Sequence, residues 1–211
     1  MVKGIVIQLQ TEALDESVDI ETLLRKAYLV ARKLQLKDFE KWASNEQNGY
    51  TDNIPEYRII DGEIKAWNPY HGWIPVVFNG KIADELGKMP IGNPISVICD
   101  AYKSNDEAIV FNLSGQLTEI LNQNTTAFQT KYSFHSSKTE FRKIISAVRN
   151  KILEWAILLE ENGIVGDGLS FTEKEKQTAL ESHTINSYTN NFFATTDNAQ
   201  IQQGGNNNNQ E

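Results

Sequence analysis

Residues 137–163 read SKTEFRKIISAVRNKILEWAILLEENG, and this stretch decides the expected fold. Ser137 and Glu140 have the spacing of a capping box, in which a hydroxyl and a carboxylate satisfy the free amides of a helix start. Asn162-Gly163 is typical of a helix end. Between them, apolar residues recur at spacings of three and four, which predicts an amphipathic helix of about seven turns. These residues are Phe141, Ile144, Ile145, Val148, Ile152, Trp155 and Leu159.

Two shorter helical segments near the N-terminus predict an α-hairpin. Residues 19–35 carry apolar side chains at helical spacing, with basic residues between them. The second segment begins at about Lys37, places Trp42 on its apolar side and ends at Asn48-Gly49, residues that tolerate a left-handed backbone. Residues 1–14 are ambiguous, because the first half favours a strand and the second half favours a helix.

The middle of the chain is broken by proline and glycine into short β-type runs. Asp61-Gly62 has the favoured composition of a tight turn, so residues 57–60 and 63–67 are predicted to form a hairpin around it. Further strands are predicted at 74–78, 95–101, 108–113 and 126–134. Short helices are predicted at 82–86 and 115–122. The middle is therefore expected to be an irregular, mostly antiparallel sheet.

These segments together predict an α+β fold with an N-terminal helical hairpin, an irregular antiparallel β middle, a long C-terminal amphipathic helix and a low-complexity tail. Thr172 and Glu175 form a second capping-box pattern, which opens a last helix. We assign residues 1–183 to the α+β body and residues 184–211 to an Asn/Gln-rich tail. Its composition permits association through amide ladders, and a flexible tail is the alternative. The candidate assembly residues are Tyr188, Phe192, Phe193 and Ile201.

Composition limits the class of protein. The formal net charge is -8 with a pI near 5.0, which argues against a general binder of nucleic-acid backbones. The one cysteine, Cys99, lies in an apolar run and is expected to be an inert buried thiol in a reducing compartment. No stretch reaches the apolar length of about 20 residues that a membrane span needs, and none is typical of a signal peptide. We therefore expect a cytoplasmic protein without membrane contact.

Known catalytic and metal-binding patterns are missing from the sequence. His71, His135 and His183 stand far apart, and none pairs with Cys99 at a metal-ligand spacing. The glycines at 163–168 have the wrong spacing for a phosphate-binding loop. The sequence therefore identifies no catalytic residue, no metal ligand and no cofactor.

One set of charged residues supports an alternative. Magnesium-dependent nucleases hold the metal with carboxylates on adjacent strands and activate a water with a lysine, and Asp52, Glu63 and Lys65 offer these groups. Alternating charges on an exposed hairpin face explain the same pattern. We keep the metal-dependent nuclease as an alternative function.

Aromatic and polar motif residues are the remaining candidates. Trp67, Tyr70, His71 and Trp73 crowd into one Pro/Gly-rich loop, which predicts either a recognition surface or a cap on the core. Glu46, Asn48, Tyr50, Tyr57 and Arg58 form a second set. In it, an Arg–Glu pair is expected to lock the second helix to the predicted hairpin, a structural role favoured over catalysis.

Two separated blocks resemble a known family. The first runs from Leu23 through Trp42 to Glu46-Gln47-Asn48-Gly49-Tyr50, Tyr57-Arg58 and Asn68-Pro69-Tyr70-His71-Gly72-Trp73. The second is Val148-Arg149-Asn150-Lys151-Ile152-Leu153-Glu154-Trp155 through Glu160, then Gly163-Ile164 and Ser170-Phe171-Thr172. Together they resemble the AbiTii abortive-infection family over residues 5–182, with Gln47 departing from its usual leucine. The resemblance implies a role in abortive infection, where an infected bacterium stops growing before phage mature, and implies no reaction.

The expected function follows from the resemblance and from the tail. We expect a defence protein that acts by association, as a homo-oligomer or on a phage or host protein, with no nucleic-acid or membrane partner. The alternatives are the metal-dependent nuclease and a regulatory partner that holds another defence effector inactive.

Overall fold

The computed structural model describes residues 4–78, 80–124 and 129–190. The helices in these ranges are α1 (Ile5–Leu14), α2 (Ile20–Leu34), α3 (Lys37–Asn48), α4 (Lys81–Leu86), α5 (Ile95–Lys103), α6 (Gly115–Gln123), α7 (Lys138–Glu161), α8 (Glu173–Glu181) and α9 (His183–Asn190). The strands are β1 (Ile59–Asn68), β2 (Gly72–Pro75), β3 (Lys88–Pro90), β4 (Ile109–Asn112) and β5 (Tyr132–Ser136), and a 3-10 turn (Glu56–Arg58) precedes β1. The predicted α+β class is confirmed.

Helix α7 is the centre of the packing and confirms the helix predicted after Ser137. Its buried residues include Phe141, Val148 and Trp155, and the helix contacts α1, α2 and α5. The ring of Trp155 stacks on Phe39 of α3, with centroids 3.6 Å apart and an interplanar angle of 13°. Each buried large apolar side chain stabilises the fold by about 1.5–3 kcal/mol. The buried face of α7 therefore contributes much of the stability of the core.

The capping box predicted at Ser137 and Glu140 is wrong. Ser137 does cap α7, but its hydroxyl accepts from the backbone N–H of Thr139 at 3.1 Å. One oxygen of Glu140 instead accepts from the backbone N–H of Asp61 in β1, at 3.4 Å, and the other pairs with Lys143 at 2.6 Å. Contact with the sheet therefore takes the carboxylate that would have completed the box.

The ambiguous N-terminal segment is helical. Within α1, Ile5, Val6, Leu9 and Ala13 are buried, a pattern that matches one face of a helix rather than the alternation of a strand. This face lies against α7 and α2. The α2–α3 hairpin is present as predicted, with Asp19 capping α2 by accepting from Thr22 N at 3.0 Å.

The sheet is antiparallel, in the order β2-β1-β5-β4, with β3 paired to the start of β1. Ile60, Ile64 and Phe134 face the helices and belong to the same buried core. The alternate residues, among them Glu63 and His135, lie on the opposite face, since successive side chains of a strand point to opposite sides. The sheet thus has one packed face and one solvent-facing face.

The hairpin predicted at Asp61-Gly62 is wrong, because β1 runs straight through both residues. Gly62 pairs with Ser136 of β5, and a Cβ on Gly62 would overlap the Phe134 ring. The glycine therefore serves close packing within a strand, not a turn. The chain turns at residues 68–72, where Asn68 Oδ1 accepts from the backbone N–H groups of Tyr70 and His71 at 2.9 and 3.2 Å.

The strand predicted at 95–101 is also wrong, because this segment is helix α5. Ile95, Ile98 and Cys99 are buried at helical spacing, and Pro94 stands directly before the first turn, where its missing N–H costs nothing. Burial raises the pKa of the Cys99 thiol to about 11, so the thiol is protonated at neutral pH. The expectation of an inert buried thiol agrees with this environment.

The other short elements lie close to their predicted positions. Helices α4 and α6 and strand β4 are present as predicted, whereas β2 covers Gly72–Pro75 rather than 74–78 and β5 covers Tyr132–Ser136 rather than 126–134. Residues 126–128 of that prediction lie outside the described residues. Within the described part of the chain, no helix is both long and apolar enough to cross a membrane.

The capping box predicted at Thr172 and Glu175 is present and is larger than predicted. Glu175 Oε2 accepts from Thr172 N and Oγ1 at 2.8 and 2.9 Å. Its Oε1 accepts from the backbone N–H groups of Val165 and Gly166, at 3.1 and 2.8 Å. Burial raises the pKa of this carboxyl, but the hydrogen bonds outweigh it, and the net shift is downward. One carboxylate therefore holds the loop between α7 and α8.

Replacing Glu175 with Gln is expected to lower the free energy of unfolding by about 1–2 kcal/mol at pH 7, because hydrogen bonds to a charged acceptor are lost. Since the folded-state pKa is lowered, the wild-type stabilisation is present above the ordinary glutamate pKa of about 4.3 and is lost as pH falls through the lower folded value. Urea unfolding between pH 7 and pH 3 measures both effects. Glu173→Gln, on the same helical turn and exposed, is the control and should change neither the stability nor its pH dependence appreciably.

Candidate functional site

A buried polar cluster lies between α3 and the start of β1. Its centre is Glu46, whose side chain is fully buried on the core face of α3. Glu46 Oε1 accepts from the hydroxyls of Tyr50 and Tyr57 at 2.7 and 2.6 Å and from Arg58 Nε at 3.0 Å. Glu46 Oε2 accepts from Arg58 Nη2 at 2.5 Å. With Trp42, whose Nε1 donates to Tyr57 Oη at 2.8 Å, these residues form the Glu46 cluster.

Arg58 connects the Glu46 cluster to the chain after β3. Its Nη1 donates to the carbonyl oxygens of Ile91 and Asn93 at 3.1 and 2.8 Å, and its guanidinium lies 4.9 Å from the centre of the Tyr50 ring. Burial lowers the pKa of Arg58, but the hydrogen bonds and charge of Glu46 raise it overall, so the guanidinium stays charged. The Arg–Glu pair expected from the sequence is therefore formed and fixes α3 to the β region.

The electrostatics of the Glu46 cluster favour a structural role. Burial, and then the Glu46 charge, raise the pKa of Tyr57 well above its ordinary value, and the same causes raise the pKa of Tyr50. Lys151 of α7 lies over the Tyr57 ring at 5.0 Å, and burial lowers its pKa. Acid–base catalysis needs a group that titrates near the working pH. The pKa values of Tyr50 and Tyr57 are shifted further from that range, which favours a structural role. The hydrogen bonds of the cluster hold three segments together.

The remaining motif residues of α3 and α7 are used in packing. Asn48 donates from Nδ2 to Ser44 O at 2.9 Å, and Gly49 ends α3 with a φ of 94°, a conformation suited to glycine. Arg149 donates to the carbonyl oxygens of Glu12, Asp15 and Val18 and so closes the connection from α1 to α2. Glu160 accepts from Gln10 Nε2 at 2.8 Å.

Trp67 and Trp73 lie on the solvent-facing side of the sheet. They are cross-strand partners in β1 and β2, with ring centroids 5.3 Å apart in an edge-to-face arrangement. Their exposed fractions are 42% and 36%, and Tyr70 in the connecting turn is 91% exposed. Trp73 also lies edge-on to His135 of β5, at 5.4 Å. We call Trp67, Tyr70, Trp73 and His135 the aromatic face.

His135 joins the aromatic face to the charged residues of the neighbouring strand. It lies opposite Glu63 in the β1–β5 register, and its Nε2 lies 2.8 Å from Ser133 Oγ. Burial and then the charge of Lys65 lower its pKa, against the opposing effect of Glu63. Sequence reasoning missed this residue as part of the surface. The signal was present, since His135 alternates with buried Phe134 in a strand.

Of the three residues of the nuclease alternative, only Glu63 and Lys65 form an ion pair with each other. Glu63 and Lys65 pair with each other at 3.0 Å on the solvent-facing side of β1, while Asp52 is exposed in the loop after α3. Among residues 4–78, 80–124 and 129–190, no group of three or more His, Cys, Asp or Glu side chains is placed to hold a metal ion. The geometry therefore gives this alternative no support.

Comparison with known families gives one family-model match. The family model for AbiTii matches residues 4–184, a range that contains α1 to α8 and the whole sheet. The chain belongs to the AbiTii family. Neither a curated protein nor a solved structure matches it. Membership of AbiTii supports a role in abortive infection, that is, in bacterial defence against phage.

The two sequence blocks that resemble AbiTii have different places in the structure. Glu46, Tyr50, Tyr57 and Arg58 meet in the Glu46 cluster, and the α7 block packs against α1 and α3. Trp73 and its neighbours in the turn stand on the surface instead. Of the candidate tail residues, Tyr188 lies in α9, whereas Phe192, Phe193 and Ile201 lie outside the described residues. The AbiTii motifs thus combine a buried frame with one exposed aromatic patch.

Proposed function

We propose that this AbiTii protein acts in phage defence in the cytoplasm by protein association, and that the aromatic face is where a partner protein binds. The observation that carries the proposal is the exposure of Trp67 and Trp73 on one side of the sheet, with exposed Tyr70 in the turn that joins their strands. Tryptophan and tyrosine are enriched among the residues that dominate binding energy at protein interfaces. They contribute large contact area at a low entropy cost.

The surroundings of the aromatic face support a protein partner over a nucleic acid. Glu63 pairs with Lys65 beside it, so this lysine's charge is already compensated. The chain as a whole carries a net charge of -8. Binding a phosphate backbone needs several uncompensated cations, whereas protein interfaces tolerate a mixed polar rim around apolar residues. Val110, on the same face and 50% exposed, extends the apolar area towards β4.

We further propose that the protein forms a homo-oligomer through residues 191–211. The support is composition: this stretch is rich in Asn and Gln, and Phe192, Phe193 and Ile201 are its large apolar residues. Tyr188, the fourth candidate assembly residue, donates from its hydroxyl to Glu154 of α7 at 2.6 Å. Self-association through the tail is therefore assigned to the residues after α9.

Replacing both Trp67 and Trp73 with Ala is expected to abolish protection against phage while costing about 1 kcal/mol of stability or less. The stability cost is small because an exposed cross-strand pair contributes about 0.2–1 kcal/mol. Plaquing efficiency on expressing cells and thermal unfolding of the purified protein measure the two effects. A double variant that unfolds near the wild-type temperature and still protects would overturn the assignment of the aromatic face.

Two comparisons sharpen this test. Leu180→Ala in α8 removes a side chain that is 48% exposed and far from the sheet in sequence, and it should leave protection intact. Light scattering of the Trp67→Ala/Trp73→Ala protein then separates the partners. An unchanged oligomer with lost protection indicates a different protein on the aromatic face, and a dissociated oligomer indicates a second copy of this chain.

A further inference from the structure

A cleft opens at the β1–β2 corner, and Trp67 of the aromatic face is one of its lining residues. It lies between Ala66 and Tyr132 of the sheet, Phe78 after β2, and Leu121 and Asn124 at the end of α6. Its volume is about 540 Å³, within the range of about 300–1,000 Å³ of small-molecule sites. The cleft is therefore large enough for a small organic ligand.

The described lining residues of the cleft carry no charge. None of the described lining residues is Asp, Glu, Lys or Arg, although the chain carries a net charge of -8. The walls are aliphatic and aromatic, with Val76 and Leu121 beside Phe78 and Tyr132. An ionised group in such a site would lose its hydration without gaining a counter-charge. The ligand that fits is uncharged in the part that enters the cleft.

Two amide side chains at the cleft are oriented by bonds to the backbone. Asn68 Oδ1 accepts from Tyr70 N and His71 N, which leaves its Nδ2 as a donor. Asn124 Nδ2 donates to Ile120 O at 2.8 Å, which leaves its Oδ1 as an acceptor. Neither Asn68 Nδ2 nor Asn124 Oδ1 has a protein partner in the described part of the chain. The cleft thus offers an oriented donor and an oriented acceptor.

Tyr132 supplies a third polar group. The residue is only 8% exposed and lines the cleft, yet its hydroxyl has no hydrogen-bond partner among the residues that the structure describes. Its neighbour across the strand, Ala66, has no polar side chain to offer. A hydroxyl in this position can donate to, or accept from, a molecule in the cleft.

We propose that this cleft binds an uncharged planar heteroaromatic molecule of the nucleoside class through its base. A nucleobase presents donors and acceptors along its edge, which amide side chains pair with, and a flat surface, which aromatic side chains cover. Asn68 Nδ2, Asn124 Oδ1 and the Tyr132 hydroxyl supply the polar groups, and the rings of Phe78 and Tyr132 supply apolar wall. The sugar would lie at the mouth. This ligand site adjoins the partner surface proposed above, because Trp67 belongs to both.

Calorimetric titration of the full-length protein with adenosine, guanosine, cytidine and uridine tests the proposal. We expect one of the four to bind at one site per chain. Tyr132→Phe, which removes only the hydroxyl, should weaken binding by about 3- to 10-fold, the effect of one neutral hydrogen bond. Leu121→Trp, which fills the cleft, should abolish binding, and Leu180→Ala in α8, at an exposed residue that does not line the cleft, should leave it unchanged.

The same titration tests whether the ligand is a free nucleoside, a nucleotide or a nucleic acid. The matching nucleoside monophosphate and a short single-stranded oligonucleotide should bind more weakly than the nucleoside, because the described lining residues of the cleft include no cation. Tighter binding of either, or equal binding to wild type and Tyr132→Phe, overturns the proposal. So does the absence of heat for all four nucleosides at millimolar concentration. Circular dichroism verifies that each variant is folded, and Tyr132→Phe suffices should Leu121→Trp fail to fold.

Discussion

Arg58→Met is expected to lower the free energy of unfolding by about 3–5 kcal/mol, the usual cost of leaving a buried charge without its partner. The Arg58 and Glu46 side chains are both 0% exposed, so water cannot replace the lost guanidinium. The variant also leaves the carbonyl oxygens of Ile91 and Asn93 without their donor. Since folded domains are stable by only about 5–15 kcal/mol, a large part of the stability is lost. Urea unfolding at pH 7 measures the change.

An exposed pair on α3, the helix that carries Glu46, is the control for this prediction. Lys37 pairs with Glu40 at 3.0 Å, but the Lys37 side chain is 76% exposed. Lys37→Met removes the same type of charge and should cost less than about 1 kcal/mol, as exposed pairs do. Equal effects of Lys37→Met and Arg58→Met would show that the Glu46 cluster contributes no more than a surface pair.

The double variant Glu46→Leu/Arg58→Met separates the ion pair from the rest of the cluster. Replacing both charges avoids the penalty of an unpaired buried charge. Replacement of a whole buried ion pair by apolar residues is often neutral for stability. Here the hydroxyls of Tyr50 and Tyr57 would lose their shared acceptor, Glu46 Oε1. We therefore expect the double variant to remain less stable than wild type by about 1–3 kcal/mol, the cost of buried unsatisfied groups. Full recovery would mean that the tyrosines find other partners.

Elements that bury one helical face could be predicted from the sequence. Helices α2, α3 and α7 were found because their apolar residues repeat every three or four positions with polar residues between. Helix α5 was missed because Ile95-Ser96-Val97-Ile98-Cys99 is short and nearly all apolar, a pattern that a buried helix and a buried strand share. The choice between them is made by packing against α7, which is distant in sequence.

Gly62 shows a second limit of sequence reasoning. Asp-Gly is a strong local signal for a turn. In the structure, however, glycine is required at position 62 because a Cβ there would overlap the Phe134 ring on the neighbouring strand. The contact joins residues 72 positions apart and leaves no local trace. For this reason the strand pairing, and with it the aromatic face, could not be placed from the sequence.

In the candidate sites too, contacts between residues near in sequence could be predicted and contacts between distant segments could not. Glu46 and Arg58 are 12 residues apart, so their pairing could be expected, whereas the carbonyl groups of Ile91 and Asn93 and the Lys151 ammonium come from distant segments. The cleft depends entirely on tertiary structure. Its walls come from β1, β5, α6 and the segment after β2, and no single segment carries a recognisable motif.

Helix α9 bears on the role of the tail, because residues 184–190 were assigned to the tail by composition. In the structure Ile185 is fully buried and Thr189 is 3% exposed. Burial and the hydrogen bond to Glu154 raise the pKa of Tyr188, so its hydroxyl stays protonated and donates. The helix lies against α7 and α3. A truncation placed before α9 therefore removes core packing together with the tail.

Truncation after Ser182 is expected to lower the free energy of unfolding by about 2–4 kcal/mol, mostly from the loss of Ile185, since a fully buried isoleucine contributes about 1.5–3 kcal/mol. Truncation after Asn190 should leave it unchanged within about 0.5 kcal/mol, because only residues outside α9 are removed. Chemical unfolding of both proteins measures the difference. Ile185→Ala in the full chain, with an expected cost of about 2–4 kcal/mol, identifies the responsible contact.

The pair of truncations also separates assembly from folding. If residues 191–211 mediate self-association, the protein truncated after Asn190 keeps its stability, loses its oligomer in light scattering and loses protection against phage. Loss of protection only in the protein truncated after Ser182 would instead trace the effect to α9 and its contact with Glu154. An oligomer that survives truncation after Asn190 would contradict assembly through the tail and would leave the aromatic face as the surface for association.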